Sequence, residues 1–180
     1  MSITQRNLSG YDLPVIEWER AHRALATDYT QAPGTGGPDR HTSWLTTTNS
    51  DGSAHVRPVG TVQVNGVRYF NSGPRTRKSR NLAADPQCVL SVATKQFDLV
   101  VEGRAVRVTD GSELDTVVEA FRRGGWPAQV DGDALTAEYS APSAGPPPWW
   151  LFRIEPETVY AFGTDETGGA TKYELGRDDE

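Results

Sequence analysis

Residues 62–86 read VQVNGVRYFNSGPRTRKSRNLAADP and carry the strongest structural signal in the chain. Asn65-Gly66 separates two runs with alternating apolar residues, and this is the best short-range signal for a two-residue β-hairpin. The implied register pairs Gln63 with Arg68 on one face and valine with tyrosine on the other. We therefore predict a buried valine–tyrosine face and a wetter face that carries Gln63 and Arg68.

The second half of this stretch is a basic cluster in an acidic chain. Although the formal net charge is −6, four cations fall within six residues, namely Arg75, Arg77, Lys78 and Arg80. A short helix is predicted over 77–84, with Thr76 as its N-cap and Asp85-Pro86 as its end. The free N–H groups of a helix start, combined with lysine and arginine side chains, form a natural phosphate site. The alternative is a solvated basic helix whose cations offset acidic neighbours.

The strand before the hairpin supplies a second feature. One long strand is predicted over 54–64, and Pro58 removes an N–H group from it, so this part is an edge or a bulge. Gly60 leaves room for the close approach of a flat ring. A continuous strand would place Val59 beside Ser72, at the entrance to the basic helix. A planar ring on this backbone would then reach the basic helix with a phosphate tail.

The remaining periodicities predict a mainly β protein with peripheral helices, a six-stranded antiparallel barrel. The other predicted elements are a helix from Asp12 to about Thr27, a Gly/Pro-rich loop over 31–41, strands over 43–48, 88–94, 98–108 and 150–162, a helix over 111–123, and a loop over 124–148. One domain is expected over 1–180. It comprises an arm, helix and loop (1–40), the barrel core (41–163) and a polar tail (164–180).

Composition excludes several functional classes. The pI near 5.1 argues against general nucleic-acid binding, and a basic cluster in such a protein favours a small anionic ligand. The single cysteine, Cys88, cannot form an intrachain disulfide and is expected to be a buried structural thiol. No cluster of metal ligands, secretory signal or membrane-length apolar segment is visible in the sequence, so we expect a metal-free cytoplasmic protein.

Three motifs occur in order: HVRPV at 55–59, GVRYFNSG at 66–73 and RKSRNLAADP at 77–86. Together they resemble the pyridoxamine 5'-phosphate oxidase-like family of FMN-binding split barrels. The similarity is closer to its flavin/deazaflavin (F-420) oxidoreductase branch, and it covers about residues 41–163. The most distinctive element is the Lys-x-x-Asn-Leu-x-x-Asp-Pro pattern within the third motif.

The resemblance implies a homodimer with two cofactor clefts at the subunit interface. Arg77 and Lys78 would bind the cofactor phosphate with support from Thr76 and Asn81. The cofactor-binding residues expected in full are Arg57, Pro58, Val59, Gly60, Ser72, Gly73, Arg75, Thr76, Arg77, Lys78 and Asn81. Trp149 or Trp150 of the partner chain would close the pocket, and the alternative for this pair is packing within its own barrel.

The implied activity is hydride transfer between a bound flavin or deazaflavin and a small acceptor such as an activated double bond or a quinone. F-420 is slightly favoured over FMN, because four cations exceed what one phosphate needs. Heme or biliverdin is a third ligand known for this fold, and a non-catalytic carrier or sensor is the competing function. His55 or Arg57 can polarise an acceptor, but no catalytic residue is assigned. No histidine follows His55, which argues against a vitamin B6 reaction.

Overall fold

The computed structural model describes residues 2–9, 13–26, 42–94, 96–141, 144–165 and 168–176. The helices are α1 (Trp18–Ala26), α2 (Arg77–Ala84) and α3 (Gly111–Arg123). The strands in chain order are β1 (Ile3–Asn7), β2 (Thr42–Thr48), β3 (Ala54–Gly60), β4 (Val62–Val64), β5 (Val67–Ser72), β6 (Gln87–Ala93), β7 (Phe97–Val108), β8 (Gln129–Asp131), β9 (Ala134–Thr136), β10 (Trp150–Gly163) and β11 (Ala170–Leu175).

Nine strands form one antiparallel sheet in the order β1-β11-β10-β7-β6-β2-β3, with β5 added to β10 and β4 added to β5. The long strand β10 lies at the centre of this sheet. One of its edges pairs with β7, and the other pairs first with β5 and then with β11. Strands β3 and β4 lie at opposite ends of the pairing path, yet only Thr61 separates them in the chain. The sheet therefore curls into a barrel that is split between β3 and β5. The predicted fold class, an antiparallel split barrel, is confirmed.

The barrel interior is apolar and one of its ends is covered by α1. Phe70 and Phe152 stack at its centre with ring centroids 5.1 Å apart. Trp18 of α1 packs on Tyr173 of β11, with ring centroids 5.0 Å apart. The helix was expected to start near Asp12, which lies outside the described residues together with Thr27, but α1 begins only at Trp18. Ile16 explains the difference, because its N–H donates to the Thr171 hydroxyl and its carbonyl accepts from Tyr173 on β11.

A second apolar cluster lies outside the barrel, where α3 covers β5 and β10. Its polar edge is Glu113, which accepts from the Tyr69 hydroxyl at 2.8 Å and from Arg153 at 3.0 Å. The predicted loop over 124–148 contains the small hairpin of β8 and β9, turned by Gly132 at a φ of 61°. Strands of only three residues give too little alternation for a sequence-based assignment.

The Asn65-Gly66 turn is confirmed, since both residues have positive φ (51° and 82°) and the register pairs Gln63 with Arg68. The prediction that Arg68 lies on a wet face is wrong, because Arg68 is only 8% exposed. Its guanidinium lies against α1 and donates a hydrogen bond to the carbonyl of Leu25 at 2.8 Å. This bond attaches the last turn of α1 to β5.

Most of the other predicted helix and strand boundaries agree with the structure. Helices α2 and α3 match their predicted ranges, and the core strands match within one residue except that 54–64 breaks at Thr61. As a result, Val59 pairs with Ser43 on β2 and not with Ser72. The arm and tail contribute paired strands, β1 and β11, where a flexible or docking arm and a polar tail were expected. The loop over 31–41 lies outside the described residues. No described helix is long and apolar enough to cross a membrane.

Candidate functional site

The first turn of α2 is attached to the end of β5 by a chain of hydroxyl groups. Thr76 is the N-cap, as predicted, and its hydroxyl accepts from the N–H of Ser79 at 3.3 Å. The same hydroxyl lies 2.8 Å from that of Ser72, the last residue of β5. Gly73 is buried between them, and a Cβ there would come within 2.9 Å of the Ala144 carbonyl oxygen. The start of α2 is thereby fixed relative to the sheet.

Cations from two elements meet beside this helix. In β3 the alternation of side chains places His55, Arg57 and the buried Val59 on one face. Lys78 of α2 is half-buried, and burial lowers its pKa, with a smaller contribution from the charge of Arg57. A lysine in this state is short of water and close to another cation, which are the conditions that a bound anion relieves.

His55 belongs to the same cluster. Its Nδ1 is buried and has no hydrogen-bond partner among the described residues. Burial lowers the pKa of His55, and the charges of Arg57, Lys78 and Arg77 lower it further, against a smaller opposing contribution from the backbone of His55 itself. We call these four residues, His55, Arg57, Arg77 and Lys78, the cation cluster.

The cations of the cluster have no ion-pair partner among the described residues. None of the three permanent cations, Arg57, Arg77 and Lys78, lies within ion-pair distance of a carboxylate there. Asp51, on the turn before β3, feels the charge of Arg77, but its carboxylate is taken by the N–H and hydroxyl of Ser53. Unpaired cations, a buried nitrogen without a partner and a helix N-terminus together suit a phosphate group.

The side chains of three predicted site residues make contacts within the protein. The Asn81 side-chain amide donates to the Thr47 hydroxyl at 3.0 Å and to Asn49 Oδ1 at 3.1 Å, so it holds α2 against β2. The Ser72 hydroxyl is engaged by Thr76. Val59 packs in the barrel interior, so only its backbone can face a ligand.

The other predicted residues lie around the cluster and do not converge with it. Pro58 and Gly60 are exposed on the opposite face of β3. Arg75 lines a cavity of about 430 Å³ beneath the Pro146–Pro148 segment. Arg80, which is not among the predicted cofactor-binding residues, lines another cavity of about 410 Å³ together with Arg77 of the cluster, next to the turn between β2 and β3.

The edge of β3 that faces β5 has no strand partner among the described residues. Within them, β3 pairs only with β2, and although it approaches β5 no ladder joins the two. Backbone groups along this edge are therefore available to the polar rim of a flat ring. The opening adjoins the cation cluster, because His55 and Arg57 belong to the same strand.

The two tryptophans at the start of β10 differ. Trp149 is 1% exposed, and its ring centroid lies 5.6 Å from that of Trp126. Its Nε1 donates a hydrogen bond to the Gly145 carbonyl, so Trp149 packs within its own chain. Trp150 is half-buried at the barrel mouth, with the guanidinium carbon of Arg107 4.4 Å from its ring centroid. No group of three or more potential metal ligands occurs in the described residues.

Comparison with solved structures shows the same fold at low identity. An FMN-binding, pyridoxamine 5'-phosphate oxidase-related protein from Nostoc punctiforme is 16% identical with a TM-score of 0.53, covering 78% of this chain and 84% of that one. PhzG from Burkholderia lata, solved with tetrahydrophenazine-1-carboxylic acid, is 17% identical with a TM-score of 0.54, covering 78% and 79%.

A heme-binding protein from Mycobacterium smegmatis is 14% identical with a TM-score of 0.57 over 83% of this chain, which spans only 55% of that protein's length. No curated protein sequence matches the chain. A family model described as pyridoxamine 5'-phosphate oxidase matches residues 37–163, which contain the whole cation cluster and the split between β3 and β5. The chain therefore belongs to the pyridoxamine 5'-phosphate oxidase-like family of FMN-binding split barrels.

Proposed function

We propose that this protein binds a phosphorylated flavin or deazaflavin and works as an oxidoreductase on a small organic acceptor. The observation that carries the proposal is the cation cluster beside an open sheet edge. Two chemically different surfaces, one for a phosphate and one for a flat polar ring, lie next to each other as such a cofactor requires. The solved relatives, which include an FMN-binding protein, support the same ligand class.

The chain's own residues would divide the work. Arg77 and Lys78 neutralise the phosphate, assisted by Arg57 from β3 and by N–H groups of the first turn of α2. The open edge of β3 orients the ring through backbone hydrogen bonds. When bound, the flavin or deazaflavin supplies the hydride chemistry, so the protein needs no nucleophile or acid–base pair of its own.

F-420 remains slightly preferred over FMN within this proposal. Arg80 and Arg77 share the cavity of about 410 Å³ that adjoins the cation cluster. An acidic tail beyond the phosphate would find one further cationic contact there, Arg80, next to Arg77 of the cation cluster, whereas a single phosphate monoester needs none. Arg75 faces the separate proline-lined cavity and adds nothing to this preference.

A homodimer completes the proposal. The outward face of the sheet carries a row of aligned residues from five strands: Pro58, Trp44, Ser91, Val100 and Tyr160. Trp44 is 49% exposed, and nearby Val56 and Phe162 are 43% and 38% exposed. Large exposed apolar patches of this kind mark interaction surfaces. A second copy on this face would lie against β3 and border the cofactor site.

Cofactor titration and turnover test the function. The purified protein is titrated with FMN and with F-420 by fluorescence, and the reduced complex is then offered a panel of quinones and activated alkenes. Micromolar or tighter binding followed by acceptor-dependent reoxidation supports the oxidoreductase. Tight binding without turnover favours a carrier or sensor, and binding of heme alone, or of nothing, refutes the proposal.

The dimer has its own test. Trp44→Lys places a charge at the centre of the apolar row and is expected to yield monomers by light scattering. Tyr139→Lys is the matched control, because Tyr139 is an aromatic residue of 57% exposure outside this face. A monomeric wild type, or a Trp44→Lys protein that stays dimeric, contradicts the proposed interface.

A further inference from the structure

We propose that His55 is a direct ligand of the bound anion, and that binding at the cation cluster takes up a proton on its imidazole. The inference rests on the proposed function, since it requires an anion in this cluster. It adds a residue and a pH dependence that neither the family match nor the solved relatives supply.

The position of His55 comes from the register of β2 and β3. His55 pairs with Thr47, and the Thr47 hydroxyl accepts from the Asn81 amide on α2. His55 shares its face of β3 with Arg57, while Lys78 is one turn before Asn81 on α2. The imidazole therefore lies in the seam where the sheet meets the basic helix.

The hydrogen-bonding state of His55 is unusual for such a place. Its Nδ1 is buried without a partner among the described residues, and most buried polar atoms in proteins have one. Leaving a buried nitrogen unpaired is unfavourable, so the folded chain holds this group ready for an external partner. The cationic side chains around it cannot accept a hydrogen bond, because arginine and protonated lysine are donors only.

The charges around His55 decide what that partner is. Arg57 on β3, together with Lys78 and Arg77 on α2, acts on the ring and, after burial, lowers the pKa of His55. The carboxylate nearest along the chain, Asp51, is occupied by Ser53. His55 is therefore neutral in the ligand-free protein near pH 7. An oxyanion would reverse the sign of the local field and accept a hydrogen bond from a protonated Nδ1.

Linkage makes this proposal measurable. If the imidazole gains a proton on binding, affinity rises with falling pH by as much as tenfold per pH unit per proton taken up. A phosphate monoester titrates in the same range, with a second pKa near 6, and tends to lose its proton at a cationic site. Comparison with a variant that cannot titrate removes this contribution, because the ligand is the same in both.

The experiment compares the wild type with His55→Gln, which keeps a side-chain donor. Isothermal titration with FMN between pH 6.5 and 8, in two buffers of different ionisation enthalpy, gives affinity and proton uptake. F-420 replaces FMN as the probe if it is the cofactor that binds. The expected result is a wild-type-to-variant affinity ratio that grows as pH falls, with up to one extra proton bound by the wild type. Parallel pH profiles with intact binding overturn the role of His55 alone, whereas failure of the wild type to bind either cofactor overturns the proposed function as well.

A second measurement keeps the proposal falsifiable if His55→Gln does not fold. The chain has three histidines, so imidazole NMR resonances can be assigned with His22→Gln and His41→Gln variants. The remaining resonance should titrate below the ordinary range in the ligand-free protein and move to higher pH when FMN or F-420 is added. A resonance whose titration is unchanged by a bound cofactor overturns the proposal.

Discussion

Asn81 on α2 donates its side-chain amide to the Thr47 hydroxyl on β2 at 3.0 Å. This bond joins the helix that carries Arg77 and Lys78 to the strand that pairs with β3. The family resemblance made Asn81 a supporting ligand of the phosphate, whereas its amide is used inside the protein. Through this bond Asn81 holds α2 against β2 and so fixes the position of α2 relative to β3.

Replacing Asn81 by leucine should lower the stability of the folded protein, and any effect on cofactor binding should be indirect. The change removes two hydrogen bonds and leaves the buried Thr47 hydroxyl without that donor, so we expect a loss of about 1–3 kcal/mol in unfolding free energy. Urea unfolding measures it, with Asn49→Ala as a variant that keeps the bond to Thr47 but removes the second bond and the bond from the Asn49 amide to the Ser53 hydroxyl. Unchanged stability combined with lost cofactor binding would identify Asn81 as a ligand instead.

Lys78→Met should have the opposite profile. Lys78 is half-buried with no ion-pair partner in the described chain, so its removal should not lower the stability of the ligand-free protein. Cofactor affinity should fall by about 1.5–3 kcal/mol, roughly 10- to 150-fold, which is typical of a lost hydrogen bond to a charged group.

The control for this change is Arg123→Met, which removes one positive charge at the exposed end of α3. Fluorescence titration of both variants separates a local contact from the general effect of net charge. An equal loss of affinity in the two would argue against a phosphate contact at Lys78.

The N-cap of α2 gives a third prediction. Thr76→Val keeps the shape of the side chain but removes the oxygen that binds Ser79 and Ser72. We expect a loss of about 0.5–2 kcal/mol in stability, the usual range for an N-cap. Thr76→Ser, which retains the hydroxyl, should stay close to the wild type in denaturant unfolding. Equal stability of the valine and serine variants would mean that the cap contributes nothing.

Alkaline pH should destabilise the protein through two buried tyrosines. Burial is the main cause that raises the pKa of Tyr69 and of Tyr173 from 10.0 to about 12, and Glu113 adds to it at Tyr69. A raised pKa means that the folded state holds the proton more tightly, so the stabilisation is complete below pH 10 and is lost as pH rises towards 12. Each group contributes a slope of at most about 1.4 kcal/mol per pH unit.

Unfolding free energies of wild type and Tyr69→Phe between pH 9 and 12 measure this slope. The variant should decline less steeply, while Tyr139→Phe, at an exposed position, should follow the wild type. Identical slopes in all three proteins would contradict the assignment of Tyr69.

Local signals explain which parts of the fold the sequence predicted. The Asn65-Gly66 turn and the cap and end of α2 depend on residues within a few positions of each other, and both were predicted correctly. Strand β11 was not predicted, although Thr171, Tyr173 and Leu175 alternate with Lys172 and Glu174 as in a half-buried strand; it lies in a polar tail and pairs with the distant strands β10 and β1. The start of α1 was wrong for the same reason, since contacts from β11 hold Ile16 in place.

In the candidate site, too, the sequence predicted local features but not those that depend on tertiary packing. The basic residues of α2 were visible as a local cluster, and the motif order suggested their ligand. The inward role of Asn81 and the unpartnered nitrogen of His55 depend on how α2 packs against β2 and β3, which no local pattern specifies. The burial of Arg68 likewise depends on α1, about 40 residues earlier in the chain.

The split between β3 and β5 also has a consequence for solubility. An unpaired strand edge offers a row of N–H and C=O groups to which a strand of another molecule can add, and this is a common start of aggregation. Pro58 lies in the middle of β3, and a proline is tolerated in a strand where its nitrogen faces an unpaired edge. The missing N–H interrupts the row, so that a foreign strand cannot pair along the whole length of β3. The gap between β3 and β5, where we propose that the ring binds, is thus protected against edge-to-edge association.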